Sequence, residues 1–136
     1  MKRISINDGD VINATSMSLS NGEVICYPTD TIYGIGTDAN NESGITKINT
    51  IKKRSGPMTI IINSFNQISE NILLDKSLKE KTDEILLKGD TCIMSYTTQF
   101  VSELITENKK IGFRIPKHAF LHALLLEYQK PITSTS

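Results

Sequence analysis

Short apolar runs alternate with amphipathic stretches along the whole chain of 136 residues. Five runs are too short for helices and rich in β-branched side chains, which is typical of strands; they span residues 24–26, 58–63, 91–96, 111–115 and 132–136. Helical spacing of apolar positions covers residues 10–20, 40–54, 64–71, 74–88 and 119–129. The alternation predicts the α/β class, with one domain built on a twisted mixed sheet flanked by helices.

Local signals mark the ends of some of these elements. Ser43 is the expected N-cap of the helix over residues 40–54, and His118 is the expected cap of the last helix. Pro28 cannot donate to a sheet ladder, so we expect the first core strand to end before it. Residues 97–107 fit either a short helix or an irregular loop.

Charge and cysteine content narrow the class of protein. Fifteen basic residues balance fifteen acidic ones, so bulk charge does not favour nucleic acid or an anionic membrane as a partner. Cys26 and Cys92 both lie in apolar strand-like runs, which predicts two buried thiols in a reducing cytosol. No run approaches 18 apolar residues and no signal-peptide pattern opens the chain. The sequence therefore predicts a cytoplasmic location and no membrane partner.

A polar loop follows the first core strand. Thr29, Asp30 and Thr31 place two hydroxyls and a carboxylate where the strand ends, which is where open α/β sheets bind ligands. Gly34 and Gly36 would let the backbone turn or approach a ligand without a Cβ in the way. The alternative is an ordinary loop whose Thr and Asp side chains pair with nearby backbone groups.

Two further polar sets stand out, and the cations of the first could neutralise phosphates. Lys52 and Arg54 end the helix over residues 40–54, and residues 133–136 carry four hydroxyls beside Arg114 on a neighbouring predicted strand. Arg offers a planar fork to a phosphate and Lys offers a point charge. The alternatives are an exposed basic helix end and a hydroxyl-rich edge strand. No Walker A sequence is present, and the two histidines lack the glutamate that accompanies a zinc-protease pair, so we expect no protein-bound metal.

Taken together and in this order, the sets resemble the YrdC-like family of L-threonylcarbamoyl-AMP synthases. The matching stretches are YPTDTIYGIG at residues 27–36, KKR at 52–54, IGFRIPKH at 111–118 and KPITSTS at 130–136. They cover most of the chain. The resemblance implies the YrdC-like fold and synthesis of threonylcarbamoyl-AMP and pyrophosphate from L-threonine, bicarbonate and ATP, with Mg²⁺ accompanying ATP. A partner complex would then transfer the threonylcarbamoyl group to tRNA, giving the t6A modification.

The same resemblance assigns roles to six residues. It implies Lys52 and Arg54 as catalytic and nucleotide-binding residues, Ser134 and Ser136 as further nucleotide contacts, and Thr31 and Arg114 as L-threonine contacts. Charge neutralisation by the two cations suits phosphoryl-type transfer, which depends on positioning more than on covalent catalysis. The alternative interpretation is a non-catalytic module that binds nucleotide, tRNA or double-stranded RNA.

The sequence departs from the family pattern in three places. Only Ser55 and Gly56 separate Arg54 from the next proline, where the family has a longer loop with another nucleotide contact. The family's Gly-Pro-x-Thr strand start is replaced by residues 89–92, GDTC, so either Thr91 or Cys92 takes the threonine position. The sequence given ends before the family's Ala-Asn pair, and we expect the family's final strand and helix to have no counterpart in it.

Overall fold

The computed structural model describes residues 2–29 and 32–135. Its strands are β1 (Ile25–Tyr27), β2 (Gly34–Gly36), β3 (Thr59–Ile61), β4 (Cys92–Ser95), β5 (Lys110–Arg114) and β6 (Ile132–Ser134). Its α-helices are α1 (Val11–Ser20), α2 (Glu42–Lys52), α3 (Lys76–Leu87) and α4 (Ala119–Tyr128), and single 3₁₀ turns cover Phe65–Gln67, Ser69–Asn71 and Glu103–Ile105. Among the described residues, no helix has both the length and the apolar character that a membrane crossing needs.

The strands form a mixed sheet, which confirms the predicted class. Four strands lie in the order β4-β5-β3-β6; β3 and β5 run parallel, and the other two pairs are antiparallel. The β1–β2 hairpin extends this sheet, because Ile35 and Thr135 exchange two backbone hydrogen bonds of 2.8 and 3.1 Å. The loop that follows β1 is thereby tied to β6, which comes almost a hundred residues later.

The pleat divides the sheet into two faces with different neighbours. Ile60 and its register partner Phe113 point into the larger core, which also holds Ile45 and Ile48 of α2. Ile61 and Ile132 point to the opposite face, where α1 and α4 cover them with side chains that include Leu19, Leu121, Leu124 and Leu125. The two register partners Thr59 and Ser134 lie on this second face, one pleat further along, where α1 and α4 no longer cover it.

The predicted cap of α4 is confirmed, whereas that of α2 is wrong. His118 Nδ1 accepts a hydrogen bond from the Phe120 N–H at 3.2 Å. In α2 the cap is Asn41, whose Oδ1 accepts from the Gly44 N–H at 3.1 Å, while Ser43 lies exposed inside the first turn. The helix begins two residues later than the predicted range, so the capping oxygen must come from the residue before Glu42.

Two further expectations are wrong. Residues 64–71 form two 3₁₀ turns instead of one helix, although Phe65 and Ile68 are buried at helical spacing. Cys26 is exposed, because Tyr27 occupies the core side of β1 and adjacent strand residues point to opposite faces. Cys92 is buried as predicted, and burial raises the pKa of its thiol. Pro28 directly follows the end of β1, as expected.

Candidate functional site

An open cleft of about 490 Å³ lies on the part of the second sheet face that α1 and α4 leave uncovered. Thr59 and Ser134 form part of its floor together with Arg114 at the end of β5, and Thr135 also lines the cleft. Residues from three connecting segments complete the walls; they are Thr29, Ile32, Tyr33 and Gly34 from the hairpin, Arg54, Pro57 and Met58 after α2, and Gly89, Asp90 and Thr91 before β4.

The hairpin wall is held in place by Tyr27. Its buried ring lies against Gly34 and Gly36, and its hydroxyl donates to the Thr133 carbonyl at 3.1 Å. A Cβ on Gly36 would lie 2.1 Å from that same carbonyl oxygen, and a Cβ on Gly34 would lie 2.9 Å from the Tyr27 ring. Both glycines are thus explained by close packing of the hairpin against Tyr27 and β6, without a bound ligand.

Tyr27 acts as a neutral donor in this arrangement. Burial raises the pKa of its phenol from the usual 10.0 to about 12, although the hydrogen bond with Ser134 and the positive charge of Arg114 oppose the rise. The phenol therefore stays protonated at neutral pH and can keep its hydrogen bond to the β6 backbone. Its nearness to Ser134 and Arg114 links the hairpin to the cleft floor.

Arg54 enters the cleft from the C-terminus of α2. The helix ends in a Schellman motif, in which Lys53 takes the left-handed conformation at φ 54° and the Arg54 N–H donates to the Asn49 carbonyl at 3.0 Å. The same motif pairs the Lys53 N–H with the Thr50 carbonyl at 3.3 Å. With its backbone fixed, Arg54 extends its side chain to the residue that follows β6, where Nη2 donates to Thr135 Oγ1 at 3.1 Å.

Arg114 enters the same cleft from the sheet itself. It is the last residue of β5, it stands in register with Ile61 of β3, and its side chain is half-buried. Its carbonyl accepts from the Ile62 N–H at 3.1 Å, so the backbone there is held in the sheet ladder. The two guanidinium groups of the cleft thus come from separate elements, one from a helix end and one from a strand end.

The structure brings three of the six sequence-predicted site residues to the cleft: Arg54, Arg114 and Ser134. Lys52 lies half-buried in the last turn of α2 and is not among the residues that line the cleft. Thr31 and Ser136 lie outside the described residues, so their predicted contacts stay predictions.

The structure adds cleft residues that the sequence did not single out. Of the two candidates Thr91 and Cys92, Thr91 lines the cleft, whereas Cys92 lies in the larger core. Thr59 also lines the cleft. Its only signal in the sequence is its position two residues before the buried Ile61, which places both side chains on the same face of β3. Asp90 is the one carboxylate among the described lining residues.

The composition of the cleft favours an anionic ligand. The described lining contains two guanidinium groups and several hydroxyls but one carboxylate. Guanidinium and hydroxyl groups are the usual donors to phosphates and carboxylates in proteins. No group of three or more His, Cys, Asp or Glu residues with metal-binding spacing occurs in residues 2–29 and 32–135.

Comparison with known proteins agrees with the motifs. A family model described as "Telomere recombination" (Sua5_yciO_yrdC) matches residues 17–136. A threonylcarbamoyl-AMP synthase from Riesia pediculicola is 34% identical over 132 residues, and the match covers 88% of this chain and 67% of the relative. The threonylcarbamoyl-AMP synthase from Vibrio vulnificus is 30% identical over 125 residues, with the same shares covered. The chain thus spans about two thirds of the length of these curated relatives.

Solved structures share the fold. The structure of E. coli YciO superposes with a TM-score of 0.83 at 25% identity, covering 95% of this chain and 64% of the other. P. abyssi Sua5 complexed with L-threonine superposes with a TM-score of 0.81 at 24% identity, covering 99% of this chain and 40% of the other. The sheet and helices described above are therefore an arrangement found in several solved proteins.

Proposed function

Because the chain belongs to the Sua5–YciO–YrdC family, we propose that it is an L-threonylcarbamoyladenylate synthase, a nucleotidyltransferase. Its substrates are L-threonine, bicarbonate and ATP, and its products are threonylcarbamoyl-AMP and pyrophosphate. The observation that carries the proposal is a single cleft that holds two guanidinium groups on separate elements, which suits a pair of ligands that carry a phosphate and a carboxylate. The curated relatives at 34% and 30% identity bear the name of this activity.

The reaction has two steps. The threonine amine combines with bicarbonate to give a carbamate, with loss of water. A carbamate oxygen then attacks the α-phosphorus of ATP, so that a new P–O bond forms and the bond from the α-phosphorus to the bridging oxygen breaks. Pyrophosphate leaves with the electrons of that bond. The chain has to hold the two reactants in line and neutralise the charge that accumulates on the phosphate oxygens.

Arg54 serves the phosphate side of this reaction. Its guanidinium lies in the cleft beside the Thr135 hydroxyl, and it can donate in parallel to two phosphate oxygens. Ser134 supplies a hydroxyl from the cleft floor, and Ser136 would continue the same strand end. Lys52 is proposed as a second cation for the triphosphate, approaching from the last turn of α2.

Arg114 serves the amino-acid side. It stands at the carboxyl end of β5, and a fork-to-fork pair with the threonine carboxylate would hold the amine toward the centre of the cleft. Thr31 is proposed as the second contact to the amino acid. P. abyssi Sua5, which shares the fold, has been solved with L-threonine bound. Mg²⁺ would neutralise charge on the triphosphate while it is bound.

The product is expected to be used in the cytoplasm by a partner complex that modifies tRNA. The alternative, a module that binds nucleotide or RNA without turnover, predicts affinity but no product. Incubation with ATP, L-threonine and isotope-labelled bicarbonate, followed by mass spectrometry, separates the two. We expect labelled threonylcarbamoyl-AMP, and none when D-threonine replaces L-threonine. ATP or RNA binding without labelled product would contradict the proposal and favour the binding module.

A further inference from the structure

We propose that Thr135 is the positioning residue of Arg54: its hydroxyl holds the Arg54 guanidinium over the cleft in the orientation that an incoming phosphate meets. The contact is the 3.1 Å hydrogen bond from Arg54 Nη2 to Thr135 Oγ1. The phosphate part of the inference rests on the function proposed above, whereas the orientation of Arg54 can be tested without any substrate.

Thr135 is a rigid anchor. Its N–H donates to the Ile35 carbonyl at 3.1 Å and its own carbonyl accepts from the Ile35 N–H at 2.8 Å, so its backbone is held against β2. Only 8% of its surface is exposed. A β-branched side chain has few accessible χ1 rotamers, and burial restricts them further. The position of Oγ1 therefore follows from the sheet itself.

Arg54 needs such an anchor. Its backbone is set by the Schellman motif, but its side chain is long and exposed, and ordering a side chain of this kind has a large entropic cost. Within residues 2–29 and 32–135, Arg54 forms no ion pair; the pair found there joins Lys79 to Asp83. The hydrogen bond to Thr135 thus connects an exposed cation to a buried side chain whose backbone is held by β2.

A hydroxyl suits this task better than a carboxylate. A carboxylate partner would neutralise the guanidinium and compete with phosphate for it, whereas Thr135 accepts one hydrogen bond and carries no charge. Arginine has five N–H donors, so one bond to Thr135 leaves a bidentate edge for a phosphate. The full positive charge also remains available to the ligand. Thr135 therefore orients Arg54 without weakening its interaction with an anion.

Two substitutions of Thr135 test the inference. Thr135→Val removes the hydroxyl and keeps the branched shape, while Thr135→Ser keeps the hydroxyl. Thr15→Val is the matched control, because it removes a partly buried hydroxyl that bonds the Val11 carbonyl on α1, away from the cleft. Reaction with phenylglyoxal, measured site by site by peptide mass spectrometry, reports how firmly Arg54 is held, with the exposed Arg3 as internal reference.

We expect Thr135→Val to raise the labelling rate of Arg54 several-fold while Arg3 is unchanged, and we expect Thr135→Ser and Thr15→Val to behave as wild type. In binding titrations, Thr135→Val should weaken ATP binding by about tenfold. In assays of turnover, the KM for L-threonine should be unchanged. An unchanged Arg54 labelling rate would overturn the inference. If the rate rises but the wild-type protein binds no ATP, the positioning of Arg54 stands and the proposed function fails.

Discussion

Arg54 and Arg114 are the two cations that the described cleft presents, and they are held in different ways. Arg54 is an exposed side chain that is hydrogen-bonded to Thr135, whereas Arg114 is half-buried at the end of a central strand. Because they belong to separate elements, each can be removed without moving the backbone of the other. Substitution of Arg54 should therefore weaken the binding of one ligand, and substitution of Arg114 the binding of the other.

Arg54→Ala is expected to weaken ATP binding by about 10- to 100-fold, since a charge-assisted hydrogen bond is worth about 1.5–3 kcal/mol. Arg114→Ala is expected to weaken L-threonine binding by a similar factor. Isothermal titration of ATP and of L-threonine against each variant gives the four dissociation constants that are compared. A uniform loss of both ligands in both variants would contradict the separation of the two sites.

Lys53→Ala is the matched control for this experiment. It removes one positive charge from the residue next to Arg54, at an exposed position whose side chain does not line the cleft. Its ATP affinity should stay close to that of wild type. Arg54 is exposed, so Arg54→Ala should also leave the melting temperature nearly unchanged. A large fall in that temperature with intact ATP affinity would make Arg54 a structural residue.

The β1–β2 hairpin forms one wall of the cleft and is tied to the sheet through β6. Tyr27 and the two glycines form one packed unit with β6, in which the Tyr27 hydroxyl, the Gly36 backbone and the Thr133 carbonyl meet. A rigid hairpin of this kind fixes Thr29 and Tyr33 at the mouth of the cleft. Loosening it should affect stability and ligand binding together.

Gly36→Ala is expected to destabilise the protein by about 3 kcal/mol, because the new Cβ would meet a backbone oxygen that the sheet holds in place. Thermal unfolding should show a melting temperature lower by about 10 °C. Gly9→Ala is the control, since no heavy atom lies within 4 Å of the added Cβ and its φ is not positive. Equal melting temperatures for the two variants would contradict the packing described here.

Tyr27 also causes the free energy of unfolding to fall at alkaline pH. Its folded-state pKa of about 12 lies above the usual 10.0 of an unfolded chain, so its stabilising effect is complete below about pH 10 and is lost as the pH rises toward 12. In urea titrations, Tyr27→Phe should reduce the loss of unfolding free energy over that range by about 2–3 kcal/mol. Identical pH profiles for wild type and Tyr27→Phe would exclude this coupling.

Tyr128 provides the comparison for that measurement. Burial, the hydrogen bond to Asp38 and the charge of Asp38 all raise the pKa of its phenol, so it contributes to the alkaline loss with the same sign. Tyr128→Phe should therefore flatten the profile as well. The effects of the two substitutions should add, since the two phenols have different hydrogen-bond partners.

Elements with strong local patterns could be predicted from the sequence, and elements defined by distant contacts could not. The isoleucines of α2 and the leucines of α4 repeat at helical spacing, so both helices were predicted. The same spacing of Phe65 and Ile68 led to the wrong prediction of a helix over residues 64–71, because a short 3₁₀ turn buries the same positions as one turn of an α-helix. The exposure of Cys26 could not be read from a run in which every neighbour is apolar.

The candidate site was predictable to a similar degree. Arg54 and Arg114 stand out as cations at the ends of predicted elements, and Ser134 stands out in a hydroxyl run. The packing role of Gly36 depends on Tyr27 and Thr133, which are 106 positions apart, and no local pattern can reveal such a contact. The link between Arg54 and Thr135 likewise joins residues 81 positions apart.

At the scale of the whole molecule, one face of the sheet is divided between core and cleft. The helices α1 and α4 cover the Ile61 and Ile132 end, and the remaining end presents Thr59, Ser134 and Arg114 to solvent. The larger core on the opposite face supports both regions. The cleft therefore rests on a fully packed sheet, which suits a reaction that depends on the fixed positions of two substrates.

The most direct test of the central claim is pyrophosphate release from ATP and bicarbonate by this 136-residue chain, with and without L-threonine. We predict release that requires L-threonine, that is retained with Lys53→Ala and that is lost with Arg54→Ala. Such a result would establish that the described cleft binds both substrates and activates ATP. Release that is absent, or equal with and without L-threonine, would contradict the claim that this cleft joins the amino acid to the nucleotide.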